Sequence, residues 1–196
     1  MPLQNRVTPF GRLIADPARG LFMGNRGILH DEEKRIVGRP WRHPHWIVCT
    51  LAFKERRREI MAPRRYTELF FLDEATALAA GHRPCAECRR GAYRGYLSAT
   101  GVSGAGELDR ILHRQRIGPR LETIVRHPTE LPDGSMFAIG DGAFLMWRGV
   151  AHLWSTNGYG EPKPIPDGEV HVLTPALTLA ALANGYRPVV HPTAKP

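Results

Sequence analysis

Cysteine is scarce in this chain and odd in number: Cys49, Cys85 and Cys88 are the three among 196 residues. That count excludes a framework of paired disulfides and fits a reducing compartment, so a cytoplasmic protein is expected. Long apolar runs are absent as well, and the opening MPLQNRVTPF lacks the charged and then hydrophobic pattern of a signal peptide, so no membrane partner is expected. Lysine is rare, with four residues against 23 arginines, and part of the basicity is therefore a compositional preference for Arg. Phosphate-cradle motifs are missing: the Gly-rich stretch from Gly20 to His30, GLFMGNRGILH, has the spacing of neither a Walker loop nor a dinucleotide fingerprint, and reads as turns. Disorder is excluded by composition. With 42% hydrophobic and 23% charged residues the chain can bury a sizeable core, and a single compact domain over residues 1–196 is expected.

The most informative stretch present is Asp73 to Arg90, DEATALAAGHRPCAECRR. It predicts a short Ala-rich helix over 74–80, capped by Asp73 and stopped on Gly81, followed by Cys85 and Cys88 as a C-x-x-C pair. Two thiols at that spacing reach one tetrahedral centre without strain, and backbone N–H groups of the following helix can point at the thiolates. A redox pair of the thioredoxin kind follows a strand, whereas this pair follows a helix, so metal is the preferred reading over redox or idle thiols. Cys49 lies in WIVCTLAF, a predicted strand over 46–53, where alternation puts it on one face with Ile47, Leu51 and Phe53. That face reads as core, and Cys49 is either a small buried hydrophobe or a third ligand.

The run A-x-A-x-G-[aromatic or His]-R-P-C-x-x-C-[RK], met here at Ala77 to Arg89, resembles the second half of the Ada-type zinc-binding module of methyl phosphotriester repair proteins, and related zinc modules appended to nucleases. The resemblance is local, to a segment of about 45–98, and implies zinc at Cys85 and Cys88, contact with DNA and a repair-related role. The family site uses four cysteines, one of which accepts the methyl group. With three cysteines that full site is impossible, and the methyl-acceptor role is not carried over. Cys49 is the candidate third ligand, and His45 the candidate fourth in a Cys3His set, with His43 and His82 as alternatives.

An internal echo separates structure from chemistry in this motif. LAAGHRP at 78–84 recurs as LANGYRP at 182–188, after a segment opening with Thr174 as predicted cap and Pro175 at the first helical position. Gly and Pro in both copies are helix stops, and only the first copy carries cysteines.

The net charge of +8 is uneven. Arg56, Arg57 and Arg58 lie in a segment of six bases and two acids ending at Arg65. Arg83, Arg89, Arg90 and Arg94 surround the C-x-x-C turn, and Arg110, Arg114, Arg116 and Arg120 form a third group. Arginine forks suit phosphate, so nucleic acid is the expected partner, DNA ahead of RNA, with Arg56, Arg57, Arg58, Arg83, Arg89 and Arg90 as contacts. A solvated basic face is the alternative.

The predicted organisation is α+β: N-terminal mixed strands and short helices around the C-x-x-C turn, then an antiparallel hairpin meander closed by a helix. Further helices are expected over 87–98 and 107–116, a second strand over 57–61, and fraying over 189–196. On the 107–116 helix Asp109 and His113 stand four apart, giving an acid and a base on one surface. With His152 they are the candidate catalytic groups. The β-rich half, about 121–190, shows turns at Gly140-Asp141-Gly142 and Arg148-Gly149. Trp147, His152, Trp154 and Tyr159 there form either a wall for base stacking or ordinary packing. Three functions fit: a zinc-binding nucleic-acid protein, a metal-dependent or acid/base hydrolase of nucleic acid or a nucleotide, and a protein-interaction domain. Ligand count separates the first two, since four protein ligands close a zinc site and three leave a position open.

Overall fold

The fold is organised around a helix that has no exposed face. The computed structural model describes residues 1–55, 59–117 and 124–195. Helix α1, Glu74–Ala79, is buried at all six positions. Ala77 and Ala80 pack on one sheet with Val7, Phe22, Val48 and Phe71, while Ala75 and Ala79 pack on a second sheet with Met136 and Leu145. Leu78 meets a third cluster with Tyr96, Leu108 and Leu182 from the remaining helices. A helix gripped on every side needs small side chains, which is why this one is Ala-rich. Asp73 caps it as expected, accepting from the Thr76 backbone N–H at 2.8 Å.

The chain is α+β. The first sheet holds β1 (Arg6–Val7), β2 (Leu13–Ile14), β3 (Phe22–Asn25), β4 (Ile47–Thr50), β5 (Leu69–Phe71) and β6 (Arg83–Pro84), in the order β2-β1-β5-β3-β4-β6. The β1–β5 and β4–β6 pairs are parallel and the others antiparallel. Helices α2 (Arg90–Thr100) and α3 (Ala105–Ile117) follow. The second sheet is antiparallel throughout: β7 (Ile124–Arg126), β8 (Met136–Ile139), β9 (Gly142–Trp147), β10 (Val150–Ser155), β11 (Gly158–Lys163) and β12 (Val170–Val172), ordered β11-β10-β9-β8-β12-β7. Helix α4, Ala176–Ala183, closes the chain's regular structure. None of the described helices is long and apolar enough to cross a membrane.

Turn chemistry explains the meander. Arg148 and Gly149 both take positive φ, 51° and 77°, the two-residue geometry whose twist matches antiparallel strands. Gly81 and Gly185, with φ of 83° and 95°, are the left-handed stops expected of both helix echoes.

Several expectations are corrected. The stretch read as turns contains β3, whose Gly24 is required by crowding rather than by a turn: a Cβ there would lie 2.1 Å from the Ile47 carbonyl oxygen. Residues 59–61 form no strand, and Arg57 and Arg58 of that predicted strand lie outside the described residues. Thr174 does not cap α4; its hydroxyl accepts from the Met136 backbone N–H at 2.8 Å, and Pro175 precedes the helix without a side-chain cap. The tail does not fray at 189–191. Val189 and His191 donate their backbone N–H groups to Glu74 and Asp73, because the two buried carboxylates opening α1 need donors.

Candidate metal centre

Strand β4 has two faces with different fates. Val48 points into the core and is fully buried, whereas Ile47 and Cys49 point to the opposite side of the sheet. The alternation read from sequence holds, but its assignment is reversed: the Cys49 face lines a cavity of about 850 Å³, so the expectation of core on that side is corrected. Parallel pairing with β4 brings the C-x-x-C turn alongside; the pair directly follows strand β6 and leads into α2, so the expectation that it follows a helix is corrected. Arg83 and Pro84 register with Ile47 and Val48, and the Cys85 backbone N–H donates to the Val48 carbonyl at 2.9 Å. The ligand atoms of Cys49, Cys85 and Cys88 consequently lie within 4.8 Å of one another, and this group can hold a metal ion.

Local electrostatics favour a thiolate at Cys85. The Cys85 thiol is pushed down chiefly by the hydrogen bond it receives from Cys49, with further donation from the backbone N–H groups of Cys88 and Glu87, while burial opposes the shift. Cys49 is pushed up, first by that same shared proton and then by burial. A divalent cation held by the three cysteines would stand in place of that proton and keep the sulfurs as thiolates.

The cavity floor is a cross-strand row. Arg6 registers with Phe70, Phe70 with Met23, and Met23 with Cys49, so four strands carry a line from a guanidinium to a thiol. At the usual strand spacing that line is about 14 Å long. Asn25, Tyr66 and Glu68 add polar groups to the wall. Glu68 is buried and accepts the Met61 backbone N–H at 2.7 Å. These cavity residues carry no local sequence signature, because they come from four separate strands and the segment before β5.

The candidate fourth ligands are placed elsewhere. His45 Nδ1 lies 2.7 Å from Asp109 Oδ2, with the His45 side chain 59% exposed. His43 sits beside it at 5.6 Å between ring centroids. His82 is fully buried against Phe71 and Trp46, and its Nε2 accepts from Arg26 Nε at 3.3 Å. Three sulfurs therefore stand at a cavity wall without a histidine among them.

The predicted acid/base pair is redistributed. Asp109 is buried, accepting both from Arg83 and from His45, while His113 packs edge-on against Trp41 at 4.6 Å. His152 is remote from them in sequence and packing: it is buried in β10, with Nδ1 3.1 Å from the Gly160 carbonyl oxygen. The aromatic residues of the meander are packing groups, since Trp154 donates to Thr76, Tyr159 donates to Asp73, and Trp147 joins the cluster over α1.

Two of the arginines expected at phosphate are corrected. Arg83 is bound bidentately by Asp109 and Arg89 by Glu74, all four side chains buried, because a guanidinium taken into the core needs a carboxylate. Arg90 and Arg94 on α2 are exposed. Arg56, Arg57 and Arg58 lie outside the described residues. Comparison with family models, with curated proteins and with solved structures finds no match, so the functional reading rests on this geometry.

Proposed function

We propose that this is a zinc-binding protein of Ada-like character, in which Cys49, Cys85 and Cys88 would hold the ion at the wall of the cavity. The observation that carries the reading is the convergence of three sulfurs from β4 and the C-x-x-C turn at a cavity wall. Zinc bound there supplies Lewis acidity and keeps its cysteines as thiolates. The chain's own contribution is a sheet floor that presents Met23 and Phe70 to an apolar body and Arg6 to a charged end. The net charge of +8 and the C-x-x-C motif support nucleic acid, DNA ahead of RNA, as the partner, with a repair-related role. The contacts are Arg90 and its exposed neighbours rather than the buried Arg83 and Arg89.

Elemental mass spectrometry of the purified chain tests this reading. About one zinc per chain is expected, lost in Cys85→Ser and in Cys49→Ala. Absence of stoichiometric metal in the wild type defeats it. For the partner, Arg90→Ala with Arg94→Ala is expected to weaken duplex binding and to flatten its salt dependence by about one to two counterions. Unchanged binding at every salt concentration removes that surface from the proposal.

A second reading is favoured by one observation. His45 is exposed, and its Nδ1–H is held by the buried Asp109 carboxylate, which leaves Nε2 toward solvent in the arrangement of an oriented general base. Hydrolysis of nucleic acid or a nucleotide is the matching activity. Loss of hydrolysis in His45→Gln, with the fold retained, is its signature.

A further inference from the structure

Among the described residues, not every buried or partly buried arginine is matched to a carboxylate. Arg83 and Arg89 each meet an acid, whereas Arg26, 1% exposed, and the partly buried Arg116 make no ion pair among the described residues. Arg26 Nη1 donates to the Gly11 carbonyl at 2.9 Å and Nε to His82, with the guanidinium 4.1 Å over the Trp46 ring. Its Nη2 has no hydrogen-bond partner among the described residues. Arg116 Nη1 donates to the Leu173 carbonyl at 3.1 Å.

The two free ends converge. A Cβ built on Gly11 would lie 3.1 Å from Arg116 Nη2 and 3.8 Å from Arg26 Nη2, so both Nη2 groups approach one point beside Gly11. The positive charge of Arg116 bears on Arg26: burial and then Arg116 lower the Arg26 pKa to about 9, while burial alone lowers that of Arg116. Carbonyl oxygens satisfy N–H groups but do not neutralise charge. Two like charges taken out of water at close quarters cost several kcal/mol each unless an anion joins them.

We propose that Arg26 and Arg116 form a phosphate-binding site over Gly11. A tetrahedral oxyanion offers oxygens in two directions at once, which suits donors arriving from β3's end and from α3, and the guanidinium forks give charge-assisted hydrogen bonds. Arg116 also borders a cavity of about 390 Å³ with Phe10, Gln115 and Thr174, room enough for a group esterified to the phosphate. The same chemistry thus serves inorganic phosphate or a nucleoside monophosphate. The site is independent of the three cysteines.

Isothermal titration of the full chain with inorganic phosphate, against chloride at equal ionic strength, tests it. Binding of about one phosphate per chain is expected, weakened about tenfold or more in Arg116→Gln and partly restored in Arg116→Lys. Adenosine monophosphate competing with phosphate identifies an esterified source, and its exclusion while phosphate still binds identifies the free ion. A wild-type response to phosphate no greater than to chloride overturns the proposal whatever the variants do. So does equal phosphate affinity in a folded Arg116→Gln protein.

Discussion

Arg83 donates to both carboxylate oxygens of Asp109, at 2.8 and 2.9 Å, with both side chains buried. The same carboxylate receives His45 at 2.7 Å, so one acid on α3 ties β6 to the segment that leads into β4. The two cysteine-bearing elements, β4 and the turn after β6, are positioned by that tie. A residue that net charge alone assigns to phosphate is in this way consumed in building the site.

Asp109→Asn keeps the shape of the side chain and removes its charge. Arg83 is then left buried without a counter-ion, and a loss of about 3–5 kcal/mol in urea unfolding is expected. His45 loses its orienting acceptor at the same time. A loss under about 1 kcal/mol would mean that the pair contributes no more than a surface bridge.

Glu74 carries a heavier load, because it accepts from Arg89, from the Tyr186 hydroxyl and from the Val189 backbone N–H. Glu74→Gln is expected to cost a similar amount, about 3–5 kcal/mol, and to release the C-terminal segment to limited proteolysis. Arg90→Ala, one residue beyond Arg89 and exposed, is expected to stay within about 0.5 kcal/mol of wild type. A protected C-terminus in Glu74→Gln would show that the tail is held by other contacts.

Gly81 and Gly185 stop matching helix echoes, yet their surroundings differ. A Cβ on Gly81 would come within 2.5 Å of Arg116 Cγ, whereas nothing lies within 4 Å of one on Gly185. Gly185→Ala is expected to cost only left-handed strain, about 1–2 kcal/mol, and Gly81→Ala that strain plus about 1–3 kcal/mol of overpacking. Thermal melts of the pair decide this, and equal melting temperatures would contradict the close approach of Arg116.

His82 makes stability depend on pH. Burial first, and then the charge of Arg26, hold its pKa well below 6.5, so the folded chain keeps the ring neutral. Below pH 6.5 the unfolded chain binds a proton that the folded chain refuses, and stability falls as pH falls. The expected loss is about 1.4 kcal/mol per pH unit from 6.5 down to the folded pKa, with no contribution above it. Urea midpoints at pH 7.5, 6.5 and 5.5 measure the slope, and His82→Gln should reduce it. His43 and His113, also pushed down by burial, add to the slope with the same sign. A midpoint at pH 5.5 equal to that at 7.5 would exclude this coupling.

Much of the architecture was written in short-range chemistry. Asp73 before an Ala-rich run, Gly81 and Gly185 before Arg-Pro, and Arg148-Gly149 between apolar runs each act over a few residues, so the helices and hairpins were legible as such. Strand β3 was hidden because its Gly24 serves a contact with Ile47, a residue far along the chain. Cys85 and Cys88 were legible by spacing as a pair of thiols able to share one metal ion, and the structure places them together with Cys49.

By itself, the sequence determined the α+β class, the two helix stops, the meander and the C-x-x-C pair, because capping, turn conformation and side-chain period depend on neighbours in the chain. Tertiary structure alone decided which face of β4 is core, that Cys49 joins the other two sulfurs, and which arginines remain for a ligand. Those outcomes follow from strand pairing and from the demand that a buried guanidinium find an anion, and both bring together residues that no local pattern connects.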